Sequence, residues 1–259
     1  MNEASPMNVQ PGGKVARCAR YVPWVTLALV GLVGGCAKGD IVGGNTKQIT
    51  GVQVTDGFLP QPELVAQNPG TLWDQTYMKP GLDFHSYNAI YVNPVTIAAD
   101  PNSKLVSVPP DQLNKLADTF YADVFDAVSK SCKIATAPGP GVVSFHIALS
   151  DATTSNGVVK TVATYTPYLN VAYKAGSMAF NNGVGYFAGT ATAEAYATDG
   201  ATNDLLWEGV DKRGGNAPML QNTTDSWLDV HNAFKAWAAG MVTKLQQAGI
   251  CETKAAAPT

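Results

Sequence analysis

The side chains able to do chemistry in this chain are few, and the first to weigh are its three histidines, His85, His146 and His231. They stand far apart, without the His-x-His, His-Glu-x-x-His or Cys-x-x-Cys spacing that brings ligands to one ion. No metal and no cofactor is expected. His146 has the more useful neighbours. Val143, Phe145, Ile147 and Leu149 alternate with Ser144, His146, Ala148 and Ser150, so His146 points away from the apolar face of a half-buried strand. Further along, Thr190, Thr192, Glu194 and Tyr196 occupy one face of a second strand whose other face is Ala and Gly. His146, Glu194 and Tyr196 on one sheet surface offer a base, an acid and a hydroxyl, the set that an acid–base or small-ligand site uses. Open, solvated sheet faces carry such residues more commonly, and that is the expectation here. There is no Gly-x-Ser-x-Gly elbow, and Gly183 to Gly189 lacks both phosphate-loop spacing and a Lys-Ser/Thr pair. The chain is therefore expected not to be an enzyme, the alternative being a periplasmic enzyme or ligand receptor at the His146 face.

Positioning these residues takes a sheet and two helices. Tyr87 to Val92 is rich in β-branched and aromatic residues and ends at Pro94, which predicts a strand. Pro109-Pro110-Asp111 opens a helix, because proline suits a first turn and an acid there opposes the N-terminal dipole. Leu113, Leu116, Phe120, Val124 and Val128 recur on one stripe of it, which must pack on something apolar. After Gly139-Pro140-Gly141 come the strand carrying His146, a weaker strand signal from Val158 to Gly176, and the strand carrying Glu194. The turn Asp199-Gly200 leads to Leu205-Leu206-Trp207, an antiparallel hairpin. A last helix spans about Thr224 to Gly249, with Trp227, Val230, Phe234, Trp237, Met241, Val242 and Leu245 as its core face and Gly249 as its stop. The expected fold is α+β: a single domain with a mixed or antiparallel sheet and two long helices packed on one face. Lys79-Pro80-Gly81 and Asp211-Lys212-Arg213 are expected to be turns with a local ion pair rather than ligand sites.

Upstream of the fold lies an address. Arg17 and Arg20 precede the apolar run of thirteen residues from Tyr21 to Val33. As a helix that run is roughly 20 Å long, short of the ~30 Å of hydrocarbon a spanning helix must cross, so it is a signal-peptide core. Val33-Gly34-Gly35-Cys36 follows and resembles the lipobox of bacterial lipoproteins, which implies cleavage before Cys36 and lipidation of that cysteine. The same resemblance implies sorting to the outer membrane, since Ala37 rather than aspartate follows the cysteine. The membrane is then the first expected partner, because two or more acyl chains at about 0.8 kcal/mol per buried methylene hold effectively permanently.

Of the four cysteines, Cys18 leaves with the signal, Cys36 carries lipid, and Cys132 and Cys251 remain for an oxidising compartment. A bridge between Cys132 and Cys251 is expected, with two buried thiols as the alternative. Removing the first 35 of 259 residues leaves 224, enough for one sizeable core. Lys14, Arg17, Arg20 and Glu3 leave as well, which moves the net charge from −3 to −5. Nucleic acid is not an expected partner, since no basic cluster denser than Lys212-Arg213 survives. Another envelope protein or peptidoglycan is. The expected layout is a signal peptide over residues 1–35, a lipidated cysteine and Gly-rich tether over 36–56, the α+β domain over 57–251, and an Ala-rich tail over 252–259.

Several segments in order carry a family likeness. They are Gly57-Phe58-Leu59, Tyr77-Met78-Lys79-Pro80-Gly81 with Asp83-Phe84, Tyr87 to Val95, Pro138-Gly139-Pro140-Gly141-Val142, and Val210-Asp211-Lys212-Arg213-Gly214-Gly215. Trp227, Asp229, Val230, Ala233, Phe234 and Trp237 complete the set. Together they resemble the bacterial lipoprotein family called domain of unknown function 3313, over most of residues 56 to 248. That resemblance implies an envelope address and one domain, and it carries no catalytic residues to transfer.

Overall fold

The computed structural model describes residues 46–68, 71–155, 188–215 and 225–252. The expected signal peptide, Cys36 and the strand signal from Val158 to Gly176 lie outside the described residues. In chain order the elements are β1 (Thr46–Ile49), β2 (Ala66–Gln67), β3 (Gln75–Met78), β4 (Ala89–Val92) and β5 (Thr96–Ile97). Then come α1 (Pro110–Ser129), β6 (Val142–Thr153), β7 (Thr190–Asp199), β8 (Leu205–Gly215) and α2 (Leu228–Gln247). β1 falls inside the stretch expected to be tether. Its four residues lack a pattern of their own and become a strand by pairing with Lys212–Gly215 of β8.

The sheet is mixed and open, in the order β2-β3-β8-β7-β6-β4, with β1 also on β8 and β5 also on β6. β4 and β5 run parallel to β6, with α1 in the crossover, and the other pairs are antiparallel. β7 and β8 form the expected hairpin. The Asp199 carboxylate accepts the N–H groups of Ala201 and Thr202 at its turn, and Asn203 takes the left-handed φ of 62° that asparagine tolerates.

Both helices bury their stripes against one sheet face, as expected of an α+β domain. Leu116, Phe120, Val124 and Val128 of α1 meet Val230, Phe234 and Trp237 of α2, and the rings of Phe120 and Phe234 stack with centroids 4.3 Å apart. α1 starts at Pro110 with Asp111 in its first turn, as its sequence predicts. α2 starts four residues later than expected, because the Asp225 carboxylate holds the Trp227 N–H and places Trp227 at the N-cap. It stops where expected: Gly249, at φ +75°, sends its N–H to Gln246, and the Ile250 N–H reaches Leu245. Those two bonds satisfy carbonyls that the helix end leaves free. Cys132, just past α1, and Cys251, just past α2, form a disulfide with Cα atoms 4.5 Å apart.

The row Ala191, Ala193, Ala195 and Ala197 faces the helices and is fully buried. At one end α2 presses directly on the sheet: the Gly189 N–H donates to the Asp229 carboxylate at 2.8 Å. A Cβ at Gly189 would lie 2.7 Å from the Thr153 carbonyl oxygen, so that position has no room for a side chain.

Two further expectations fail. β6 is buried on both faces, not one, because the chain between β1 and β2 folds over the sheet surface away from the helices. Asp211-Lys212-Arg213 is not a turn. It lies within β8, where Gly214 and Gly215 are paired by β7 and β1. No helix among the described residues is long and apolar enough to cross a membrane.

Candidate functional site

The sheet face away from the helices brings the predicted trio together. His146 on β6 is directly across from Tyr196 on β7, and their rings stack 4.4 Å apart with planes 9° from parallel. Glu194 sits two residues along β7 on the same face. The face is not open. A strap, residues 51–64, crosses it: the Thr55 N–H donates to Glu194 Oε1 at 2.7 Å, the Phe58 ring packs 5.3 Å from that of Tyr196, and the Gln61 N–H donates to Glu208 Oε2 at 3.2 Å. Glu194 and Glu208 are both completely buried, which corrects the expectation of a solvated surface. Glu208 is the member that sequence reasoning missed. It is opposite Tyr196 in the hairpin register, so extending the alternation across Asp199-Gly200 would have found it.

Burial sets the electrostatics of this face. Desolvation raises the carboxyl pKa of Glu194 above the usual range, with the nearby Thr55 and Ser150 groups pulling it back. Burial likewise raises Glu208, with the Gln61 N–H opposing, and lowers His146 so that its neutral form is favoured. Glu194 Oε2 and Glu208 Oε1 have no hydrogen-bond partner among the described residues. A protonated carboxyl tolerates that better than a carboxylate does. His146 Nε2 lies 3.4 Å from both Ser144 Oγ and Asn93 Nδ2. The residue types suit proton transfer, but the strap backbone stands where a substrate would have to sit.

A second polar group lies on the opposite face, among the helices. Asp211 Oδ2 accepts from Arg213 Nε at 2.9 Å and from the Trp237 indole at 2.7 Å, while Oδ1 accepts from Gln48 and from the Asp74 N–H. Arg213 also donates to the Leu72 carbonyl. Burial pushes the Asp211 carboxyl up, and Arg213, Trp237, Gln48 and Asp74 draw it back. Asp211 accepts from four groups, one on each of three other segments and one neighbour on its own strand, so it fastens structure and offers no free valence to a ligand. Lys79 makes the exposed ion pair expected of it, with Asp204 at 3.4 Å. No three His, Cys, Asp or Glu side chains converge among the described residues.

A hollow lies between sheet and helices. Away from the end where Asp229 meets Gly189, the helices and the small side chains of Ala195 and Ala197 leave a cavity of about 420 Å³. Phe120, Phe145, Ile147, Trp207 and Trp237 wall it, and exposed Asn68, Met78, Lys244 and Gln247 stand at its edge. A sealed void of this size, at the ~24 cal/mol per Å³ found for core cavities, would forfeit roughly 10 kcal/mol. That equals the whole stability of a typical domain. The cavity is open at this edge and escapes that cost, and its volume is within the range of small-molecule pockets.

A protein-family model described as "Protein of unknown function (DUF3313)" matches residues 56–241. None of the curated proteins matches the sequence. Among solved structures the chain is similar to the PelC dodecamer protein of Paraburkholderia phytofirmans, at 9% identity over 64% of this chain and 94% of that one, with a TM-score of 0.33. It is also similar to a DUF4136 family protein of Bacteroides thetaiotaomicron, at 10% identity over 67% and 94% of the two chains, TM-score 0.31. The lipoprotein GNA1162 of Neisseria meningitidis is 15% identical over 63% and 97%, TM-score 0.21. The family match spans the segments whose likeness was read from sequence, and the chain belongs to the DUF3313 family of proteins of unknown function.

Proposed function

We propose that this chain is a lipid-anchored protein of the cell envelope, facing the periplasm from the outer membrane, that binds and does not catalyse. The observation that carries the reading is the apolar run Tyr21 to Val33 followed by Val33-Gly34-Gly35-Cys36. Its thirteen residues are too short to span a bilayer and end where a lipidated cysteine belongs. The Cys132–Cys251 disulfide suits an oxidising compartment. Only nine residues separate Cys36 from β1 at Thr46, so the sheet begins at most ~36 Å of chain from the anchor.

The strap supports binding over catalysis, since Glu194, the acid that the sequence offered, is held by the Thr55 backbone amide and Glu208 on the same face by that of Gln61. The partner is another envelope protein or peptidoglycan. The test is metabolic labelling with radioactive palmitate, followed by crosslinking and capture in intact cells. The wild type takes up label, Cys36→Ala does not, and capture recovers an envelope partner. An unlabelled wild type, or one whose leader is still attached on N-terminal sequencing, would overturn the reading. His146→Ala is expected to keep the protein working. Loss of its phenotype with folding intact would transfer the function to the His146 and Glu194 face.

A further inference from the structure

We infer that the cavity between the sheet and the helices binds a single acyl chain with an anionic head, tail inward and head at Lys244. The inference rests on the reading of the chain as a binding protein and names its ligand. Ala195 and Ala197 make the space, and Phe120, Phe145 and Trp237 make its walls apolar. A buried water needs two to four polar partners, and among the polar groups of the lining the Trp237 N–H is committed to Asp211, the Thr71 hydroxyl to the Asn68 and Trp73 carbonyls, and the Thr76 hydroxyl to the Asn68 amide. Water is a poor filler for such a space and hydrocarbon a good one. Size narrows the class further. At roughly 30 Å³ for each water-sized group, about 420 Å³ holds about 14 methylenes, which is one chain and not two.

The mouth selects the head. Lys244 lies at the edge, exposed, with no carboxylate paired to it among the described residues, and the Gln247 amide is beside it in the next turn of α2. An ammonium and an amide donor there suit a carboxylate or a phosphate on the end of an inserted chain.

The test uses the full chain with Cys36→Ser, which carries no lipid of its own and is handled without detergent, titrated with cis-parinarate. Trp73, Trp207 and Trp237 all line the cavity, so exciting tryptophan reports a probe seated there by energy transfer. The expected result is a saturable signal at one probe per chain. Tetradecanoate and lysophosphatidate displace it, their relative potency telling a carboxylate head from a phosphate one, and vesicles of two-chain phosphatidylglycerol do not. Ala197→Phe, which fills the cavity, is expected to weaken binding at least tenfold while the thermal midpoint holds or rises. Lys244→Glu is expected to weaken the acid at least fivefold and to leave parinaric methyl ester unchanged. Absence of saturable transfer in the Cys36→Ser chain overturns the proposal, as does full binding by a folded Ala197→Phe. Should Ala197→Phe not fold, the contrast between acid and ester in Lys244→Glu decides: equal effects on both overturn it. Failure here leaves palmitate labelling at Cys36 untouched, so the two readings fall separately.

Discussion

Asp211 shows how much one buried side chain holds in place. It ties β8 to α2 through Trp237, to β1 through Gln48 and to the chain before β3 through Asp74, and it neutralises Arg213, which is only 8% exposed. Asp211→Ala leaves that guanidinium buried without a counter-charge, and the expected loss is about 3–5 kcal/mol, read from the urea midpoint. Replacing both partners, Asp211→Leu with Arg213→Met, is expected to recover most of it; a double variant as unstable as the single one would refute the pairing argument. Glu194 and Glu208 act through their protons. Their folded pKa values are raised by burial from a usual 4.5, so the stability they contribute is complete below about pH 4.5 and is lost as pH climbs through the raised values. His146, lowered from 6.5, works in the opposite direction and loses stability as pH falls through 6.5. Glu194→Gln removes one of the two glutamate slopes, so its stability relative to the wild type is expected to rise as pH climbs above about 4.5. Parallel stability curves would show that Glu194 is not buried in the charged form's disfavour. Which residues shared a face was legible from alternation, as His146, Tyr196 and Glu194 confirm. That the face was sealed was not, because a strap is defined by contacts 139 and 147 residues apart in the chain.

At the scale of elements, what could be read tracks whether an element has a period of its own. α1 carries its stripe and its proline start, α2 its Gly249 stop, and β6 and β7 their alternation. All four stand close to where the sequence places them. β1, β2, β3 and β5 have two to four residues each and no pattern to read, since only pairing with the long strands β8 and β6, or with each other, makes them strands. The disulfide is the strongest link between the two helices. It closes a separation of 119 residues, for which chain entropy allows up to about 4–5 kcal/mol. The double variant Cys132→Ser with Cys251→Ser is expected to lose stability of that order in urea unfolding. Its loss also bears on the cavity, because Leu245, Ala248 and Ile250 line the wall directly before Cys251. Gly249→Ala is a smaller test at the same corner. The left-handed φ of +75° is expected to make it about 1 kcal/mol less stable than the wild type, and no change would mean that the α2 stop is held by the disulfide alone.

For the whole molecule, charge and anchor make separable predictions about how the protein stays at a membrane. Without the proposed leader the chain has five more acidic than basic residues, counting from 20 and 17 in the full sequence and removing Glu3, Lys14, Arg17 and Arg20. Such a domain gains no attraction from an anionic lipid surface, where each Lys or Arg would supply about 1 kcal/mol. On the proposed reading, attachment depends on acyl chains at Cys36, whose burial is apolar and is not screened by salt. In fractionated cells the wild-type protein is therefore expected to stay with membranes through a 1 M salt wash, on the scale of a ~3 Å Debye length, and to leave only with detergent. Cys36→Ala is expected to lose the membrane fraction altogether, at low salt as at high. A wild type stripped by salt, or a Cys36→Ala chain that stays bound until salt is added, would place the attachment in surface charge and not in a lipid on the cysteine.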